Sequence, residues 1–153
     1  MELVDMQTSV LVPCLSCGAL NKVPEHAENG KAKCGKCSTP LEHKEHVHAV
    51  SGAVLAKAVL NSPIPVVVDF WAPWCGPCVG FAPTFKEYAK ANYGKALFLK
   101  CDTEAHQDAG QRFAIRSIPT LIVFENEKEK ARQSGALPLT QLDKWVRSHI
   151  QLG

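Results

Sequence analysis

Val66-Val67-Val68-Asp69-Phe70-Trp71-Ala72-Pro73-Trp74-Cys75-Gly76-Pro77-Cys78 is the stretch that decides the fold of this chain. Pro65 to Trp71 is a β-branched and aromatic run with apolar residues on both faces, the pattern of a central strand buried on both sides. A short turn follows, and Cys75 then stands at the start of a helix. Orphan backbone N–H groups and the positive end of the helix dipole favour an anion there. That lowers the pKa of the Cys75 thiol and frees its thiolate as a nucleophile. Cys78 faces the same side one turn later and more deeply, placed to attack a mixed disulfide at Cys75 and release the reduced product. The alternative for the pair is a metal site or two inert core thiols. Metal-binding C-x-x-C pairs, however, sit on turn-rich knuckles with a second pair nearby, and this one sits at a strand-to-helix junction.

Outward from this junction the chain alternates helical and strand signals. Ser51 is placed to cap a short helix carrying Val54, Leu55, Ala58 and Val59 on one side. The helix after the cysteines runs through Ala91, with Phe81, Ala82, Phe85, Tyr88 and Ala89 at helical spacing and a kink expected at Pro83. Ala96 to Cys101 is a second strand, and Thr103 is expected to cap a helix from Glu104 to Ala114. Thr120 to Phe124 is a third strand. Asn126 to Lys130 reads as a hairpin turn leading to an edge strand near Ala131 to Ser134. The last helix starts at about Thr140, with Leu142, Trp145, Val146, His149 and Ile150 on one face. The order β-α-β-α-β-β-α implies an α/β fold, with parallel crossovers first and an antiparallel hairpin later.

The chain has 153 residues and a formal net charge of only +2, with nearly half its residues apolar. It can bury a sizeable core, and charge gives no support to nucleic-acid or membrane-surface binding. The longest apolar stretch, Ile64 to Trp74, is too short and too interrupted to span a bilayer. Met1-Glu2-Leu3-Val4-Asp5 lacks the basic start and apolar run of an export signal, so a cytoplasmic location is expected.

The first 45 or so residues are polar, turn-rich and too short of apolar elements to fold unaided. They hold Cys14, Cys17, Cys34 and Cys37, two C-x-x-C pairs separated by sixteen residues. This is the spacing of a four-thiolate zinc ribbon, in which one structural Zn²⁺ joins two knuckles and staples the segment. Gly18 and Gly35 are expected to give the knuckles backbone freedom, and Lys33 and Lys36 to offset the charge of the thiolate centre. Two disulfides are the competing assignment. His26, His43, His46 and His48 are read as solvated loop residues, since four cysteines already satisfy zinc. Cys101, alternating with Lys100 along its strand, is either a small buried hydrophobe or a regulatory thiol.

Trp74-Cys75-Gly76-Pro77-Cys78 resembles the active-site motif of the thioredoxin family, and the likeness runs from about Val50 to the C-terminus. The resemblance implies a thioredoxin fold, a central mixed sheet flanked by helices. It also implies that Asp69 is the general base for Cys78, that Lys100 is the lysine beside it, and that Pro119 in Ser117-Ile118-Pro119-Thr120 is a cis-proline packed on the dithiol. Ile118 would present its backbone to an extended substrate peptide. Lys100 reads equally well as an ordinary exposed lysine. Trp71, Trp74, Pro77, Gly135 and Ala136 are expected to form a flat apolar rim around Cys75, though Trp71 fits the core as well. The hairpin Glu125-Asn126-Glu127-Lys128-Glu129-Lys130 lacks the glycine that the family places there, so Asn126 is expected in the left-handed region.

With Pro24, Cys34-Gly35, Thr103-Glu104-Ala105 and Ile115-Arg116-Ser117-Ile118-Pro119-Thr120, the ribbon makes the chain resemble the thioredoxin-2 subgroup of bacteria. The expected organisation is an N-terminal segment, 1–48, with the ribbon over about 10–42, followed by a thioredoxin domain, 49–153. The expected function is a cytosolic protein disulfide reductase. Gly76-Pro77 between the cysteines points to the reducing end of the redox scale. Its expected partners are oxidised proteins and an NADPH-dependent thioredoxin reductase, with no nucleic acid or membrane, and it is expected to act as a monomer. The rival is a zinc-dependent binding or chaperone module in which the dithiol is secondary.

Overall fold

The structure, a computed structural model, describes residues 9–43 and 46–153. Residues 1–8, 44 and 45 of the expected N-terminal segment lie outside the described residues. Two sheets organise the chain. The smaller is an antiparallel hairpin of β1 (Ser9–Pro13) and β2 (Leu20–Pro24). The larger has five strands in the order β3-β5-β4-β6-β7. These are β3 (His48–Ala49), β4 (Val66–Trp71), β5 (Leu97–Asp102), β6 (Thr120–Glu125) and β7 (Lys128–Ser134). β3, β5 and β4 run parallel, while β6 and β7 are antiparallel additions.

Central β4 is buried from Val66 to Phe70, as its uninterrupted apolar run requires. Val67, Phe98, Leu121 and Val123 face one side of the sheet and meet Phe81, Phe85 and Tyr88 of α2 (Gly76–Ala91). Leu142 and Val146 of α4 (Leu139–Arg147) join them there. Val68, Phe70, Leu99, Cys101 and Ile122 face the other side, against Val54, Leu55 and Ala58 of α1 (Gly52–Asn61). Each fully buried large side chain contributes roughly 1.5–3 kcal/mol relative to exposure, so the two faces hold the sheet between its helices. Ser51 caps α1 as expected, its hydroxyl accepting the Val54 N–H at 3.2 Å.

Several expectations need correction. β3, two residues without a periodic pattern, draws His48 into the larger sheet beside Leu99. His43 and His48 are buried, at 7% and 5% exposure, rather than solvated. Pro83 lies inside α2, which is helical on both sides of it. The missing proline N–H leaves the Val79 carbonyl without its helical donor, and Val79 lies on the exposed side, where water can serve instead. Ala82 is likewise exposed, and so is His149, which follows α4 and meets Trp145 edge-on. Thr103 does not cap a helix, because its N–H and hydroxyl both donate to the Trp71 carbonyl. Asp102 instead accepts the N–H groups of Glu104 and Ala105, and α3 (Gln107–Arg112) starts only after that turn.

β6 and β7 are joined by two residues, Asn126 and Glu127, both left-handed with φ of 53° and 70°. This is the tight hairpin geometry that normally recruits Asn-Gly. Asn126 tolerates it, whereas Glu127 carries a Cβ penalty on the order of 1 kcal/mol. Glu127→Gly is therefore expected to raise the free energy of unfolding by about 1 kcal/mol in urea titration.

Candidate functional site

The dithiol lies where buried β4 gives way to α2. Cys75 is the N-cap residue of α2, with extended backbone, and its Sγ accepts the Cys78 N–H at 3.2 Å. Gly76 and Pro77 form the first helical positions, where a proline lacks only a donor that would be orphaned anyway. Cys75 and Cys78 are joined as a disulfide with their Cα atoms 5.2 Å apart. Cys75 is 6% exposed and Cys78 1%, so Cys75 is the outer member of the pair. An anion on Cys75 Sγ would be met by helix N–H groups and by the helix dipole.

The loop before β6 closes over this sulfur. The Ile118–Pro119 bond is cis, and the Ile118 carbonyl oxygen lies 3.9 Å from Cys75 Sγ. The Pro119 carbonyl accepts the Gly135 N–H at 2.8 Å, which brings Gly135, with φ of 94°, and the adjoining Ala136 beside the loop. Trp74 is 69% exposed on the rim, and Val79, missed from sequence, is 54% exposed one residue beyond Cys78. The Trp74 indole N–H donates to the Glu104 carboxylate at 2.9 Å. No local pattern revealed Glu104, because the contact joins the turn after β5 to the turn before α2. Trp71 is half-buried, with its indole nitrogen buried, and belongs as much to the core as to the rim.

Asp69 is 3% exposed on β4, facing the α2 side, and its Oδ1 has no hydrogen-bond partner. Burial pushes its carboxyl up to about 7, opposed by the positive charge of Lys100. Lys100 is half-buried beside Asp69 in register on β5, and its ammonium lies 5.5 Å from the centre of the Trp71 ring. Asp69 and Lys100 both line one cavity. Cys101 points to the opposite face and is wholly buried. Burial and the nearby Asp108 and Asp102 push its thiol up to about 12, which keeps it a protonated hydrophobe.

The other four cysteines converge elsewhere. Cys14 and Cys17 sit in the turn joining β1 to β2, and Cys34 and Cys37 in a second turn closed by the Lys33–Pro40 bridge. The two turns repeat the same bonds. Gly18 N–H reaches the Cys14 carbonyl and Ser38 N–H the Cys34 carbonyl, while Cys14 and Cys34 bond Ala19 and Thr39. The residue after each second cysteine is left-handed, Gly18 at φ 83° and Ser38 at φ 68°. Conformational freedom in the second knuckle is therefore required at Ser38, and not at Gly35 as expected from sequence.

All four Sγ atoms lie within 4.8 Å of one another, with 3.6 Å between Cys14 and Cys37 and between Cys17 and Cys34. Zn–S bonds of about 2.3 Å in a tetrahedron would place the sulfurs about 3.8 Å apart, so the donor set fits a single ion of that size. Backbone N–H groups point at the sulfurs, Cys17 to Cys14 and Lys36 to Cys34, each at 3.4 Å. The N–H groups of Cys37 and Lys36 pull the Cys34 thiol down to about 6. Against an Ala19 backbone hydrogen bond, burial and the three neighbouring thiols push Cys17 up to about 11, so metal binding would have to displace protons from the cluster.

A parallel–antiparallel sheet of this order, with a C-x-x-C pair at the first turn of the helix after its central strand and a cis-proline loop against it, defines a dithiol–disulfide oxidoreductase. The sequence profile described as Thioredoxin matches residues 46–148. The chain is 39% identical to Thioredoxin C-3 of Corynebacterium nephridii over 142 residues, 93% of this chain and 97% of that protein. It is 43% identical to the Thioredoxin of Haemophilus influenzae over 101 residues, 66% and 94% of the two chains. Thioredoxin M4 of Arabidopsis thaliana, a chloroplastic protein, is 36% identical over 142 residues, 93% of this chain and 72% of that one. The chain belongs to the thioredoxin family and is a thioredoxin-type disulfide reductase.

Burial of Asp69 makes stability depend on pH with a fixed sign. Its folded pKa, about 7, lies above the unfolded value near 3.8, so the folded state holds the extra proton between them. The stability this group contributes is complete below about pH 4 and is lost as the pH rises through about 7. The full span is on the order of 4 kcal/mol. Asp69→Asn is expected to flatten this slope and to stabilise the oxidised protein at pH 8 by a few kcal/mol, measured by urea unfolding at pH 5 and pH 8.

Proposed function

We propose that this thioredoxin reduces disulfides of oxidised proteins in the cytoplasm, with Cys75 as nucleophile, Cys78 as resolving thiol and Asp69 as the general base. The Cys75 thiolate attacks one sulfur of the substrate disulfide, and the other sulfur leaves as a thiolate that takes up a proton. Cys78 gives its proton to Asp69, and the Cys78 thiolate attacks Cys75 Sγ. The second substrate thiol departs as the Cys75–Cys78 disulfide forms. Two electrons have then passed from the dithiol to the substrate.

The observation that carries this reading is Cys75 Sγ at the N-terminus of α2, accepting the Cys78 N–H 3.2 Å away and flanked by the Ile118 backbone. The flanking rim of Trp74, Pro77, Gly135 and Ala136 suits an extended peptide laid against Ile118, as in strand addition. An NADPH-dependent thioredoxin reductase would restore the dithiol. We assign the thioredoxin-2 type, with the ribbon over about 10–42 and a redox domain that already includes Val47 and His48, working as a monomer without nucleic acid or membrane.

Cys14, Cys17, Cys34 and Cys37 would hold one structural zinc, which when bound crosslinks the two knuckles. The proposal is supported by the convergence of the four sulfurs and by the lack of any other staple in so small a core as Val10, Val12, Val23 and Leu41. Metal analysis of the purified protein is expected to give one zinc per chain, falling to background in the double variant Cys14→Ser/Cys17→Ser. Finding no zinc, or retention by that variant, contradicts the assignment.

Turbidimetric reduction of insulin with dithiothreitol tests the function. Wild type is expected to be active, Cys75→Ser to fall to the uncatalysed rate, and the Cys14→Ser/Cys17→Ser variant to retain activity. Activity that survives loss of Cys75 overturns the reading.

A further inference from the structure

Between the ribbon and the larger sheet lies a cavity of about 660 Å³, against roughly 30 Å³ for one water in the liquid. Its inner wall includes Asp69, Lys100, Val47 and Phe85, and its outer wall includes Leu15, Asn29 and Glu42 from the ribbon. Two contacts fix the ribbon in this position. Lys57 of α1 donates to the Cys17 carbonyl at 2.7 Å, and Tyr93, after α2, packs into the ribbon's own core. Gly18 lets the lysine stem approach, since a Cβ there would stand 2.6 Å from Lys57 Cδ. Asp69 Oδ1 is buried without a hydrogen-bond partner. A carboxyl group so placed must find water, and the cavity is the space its lining residues share with the ribbon.

We propose that Leu15 and Glu42 of the ribbon, which line the same cavity as Asp69, are positioning residues that set the charge environment in which this carboxyl takes up and gives off its proton. The inference rests on Asp69 being the base for Cys78. The proton leaves the Cys78 thiol, rests on the Asp69 carboxylate, and passes to water in the cavity. The ribbon is then part of the electrostatic environment of the reaction, although it touches neither sulfur of the reacting pair.

Among the described residues, the charged or titratable groups on this cavity are Lys100 from β5, Lys86 from α2, His48 from β3 and Glu42 from the ribbon, and in the reduced protein the Cys75 and Cys78 thiols at the start of α2 titrate as well. His48 is held neutral across the working range, since burial, with His43 and His46 nearby, pushes it down to about 4. A change in the charge of the outer wall should therefore be read by Asp69 itself.

The test is the pH dependence of insulin reduction by the pre-reduced, metal-loaded full chain. Leu15 is 48% exposed on the tip of its knuckle, so either charge can be placed there without burying it. Leu15→Lys is expected to lower the midpoint near pH 7 and Leu15→Glu to raise it. Each shift should be a few tenths of a pH unit, roughly what a unit charge on the order of 10 Å from a carboxyl produces in a hydrated setting. Glu42→Lys, a second variant on a different loop, should also lower it. The same charge pair at Leu60, 58% exposed on α1, should leave it in place. Unmoved midpoints, shifts of one sign for both Leu15 variants, or equal shifts from Leu60 overturn the proposal. Asp69→Asn separates the two levels. If it abolishes the inflection while the Leu15 variants leave the wild-type midpoint unmoved, only the ribbon's role fails. If the inflection survives Asp69→Asn, the assignment of Asp69 as base fails, and this proposal with it.

Discussion

The chemistry depends on one hydrogen bond, from the Cys78 N–H to Cys75 Sγ, at the first turn of a helix that a buried strand has aimed. A sulfur placed there replaces the oxygen of an ordinary cap, and the same N–H that stabilises the helix end stabilises a thiolate. Everything that holds α2 against the sheet therefore supports the nucleophile. Phe81 and Phe85 anchor the helix on the sheet core, and Tyr88 ties it to α4 through Asp143 at 2.9 Å. The cis-proline loop needs β6 in register with β4, because the loop enters the sheet at Thr120, opposite Phe70.

A second constraint acts on the N-terminal part. Among the described residues its core is six buried side chains, two of them from the four-cysteine cluster, and an apolar cluster that small cannot offset the entropy of ordering its loops. Its four converging thiols are placed so that one bound metal ion would supply the missing crosslink. Once formed, the ribbon is tied to α1 by Lys57 and shares a cavity wall with the strand that carries the buried aspartate. The ribbon and the redox domain are thus physically adjacent at the cavity lined by the buried Asp69.

Much of this was legible in the sequence for definite reasons. β4 read correctly because both its faces are buried, and the dithiol because a C-x-x-C pair at a strand end has few other uses. The four-cysteine cluster followed from spacing alone. What failed was set by contacts distant in sequence. β3 is two residues with no periodicity, visible only once β5 is beside them. Thr103 looked like a cap because nothing local showed that the Trp71 carbonyl claims both of its donors. His43 and His48 looked solvated because the packing that buries them comes from the docked ribbon and sheet edge. Glu104 was hidden for the same reason, its only clue being the indole it meets across thirty residues.

The central claim is that Cys75 takes the substrate sulfur and Cys78 releases it. The most direct measurement is covalent trapping with Cys78→Ser, with mass spectrometry of the mixed disulfide formed on an oxidised protein substrate. The account predicts a stable adduct joined through Cys75 and absent from the wild type. No adduct, or one mapped to Cys14, Cys17, Cys34 or Cys37, would contradict it.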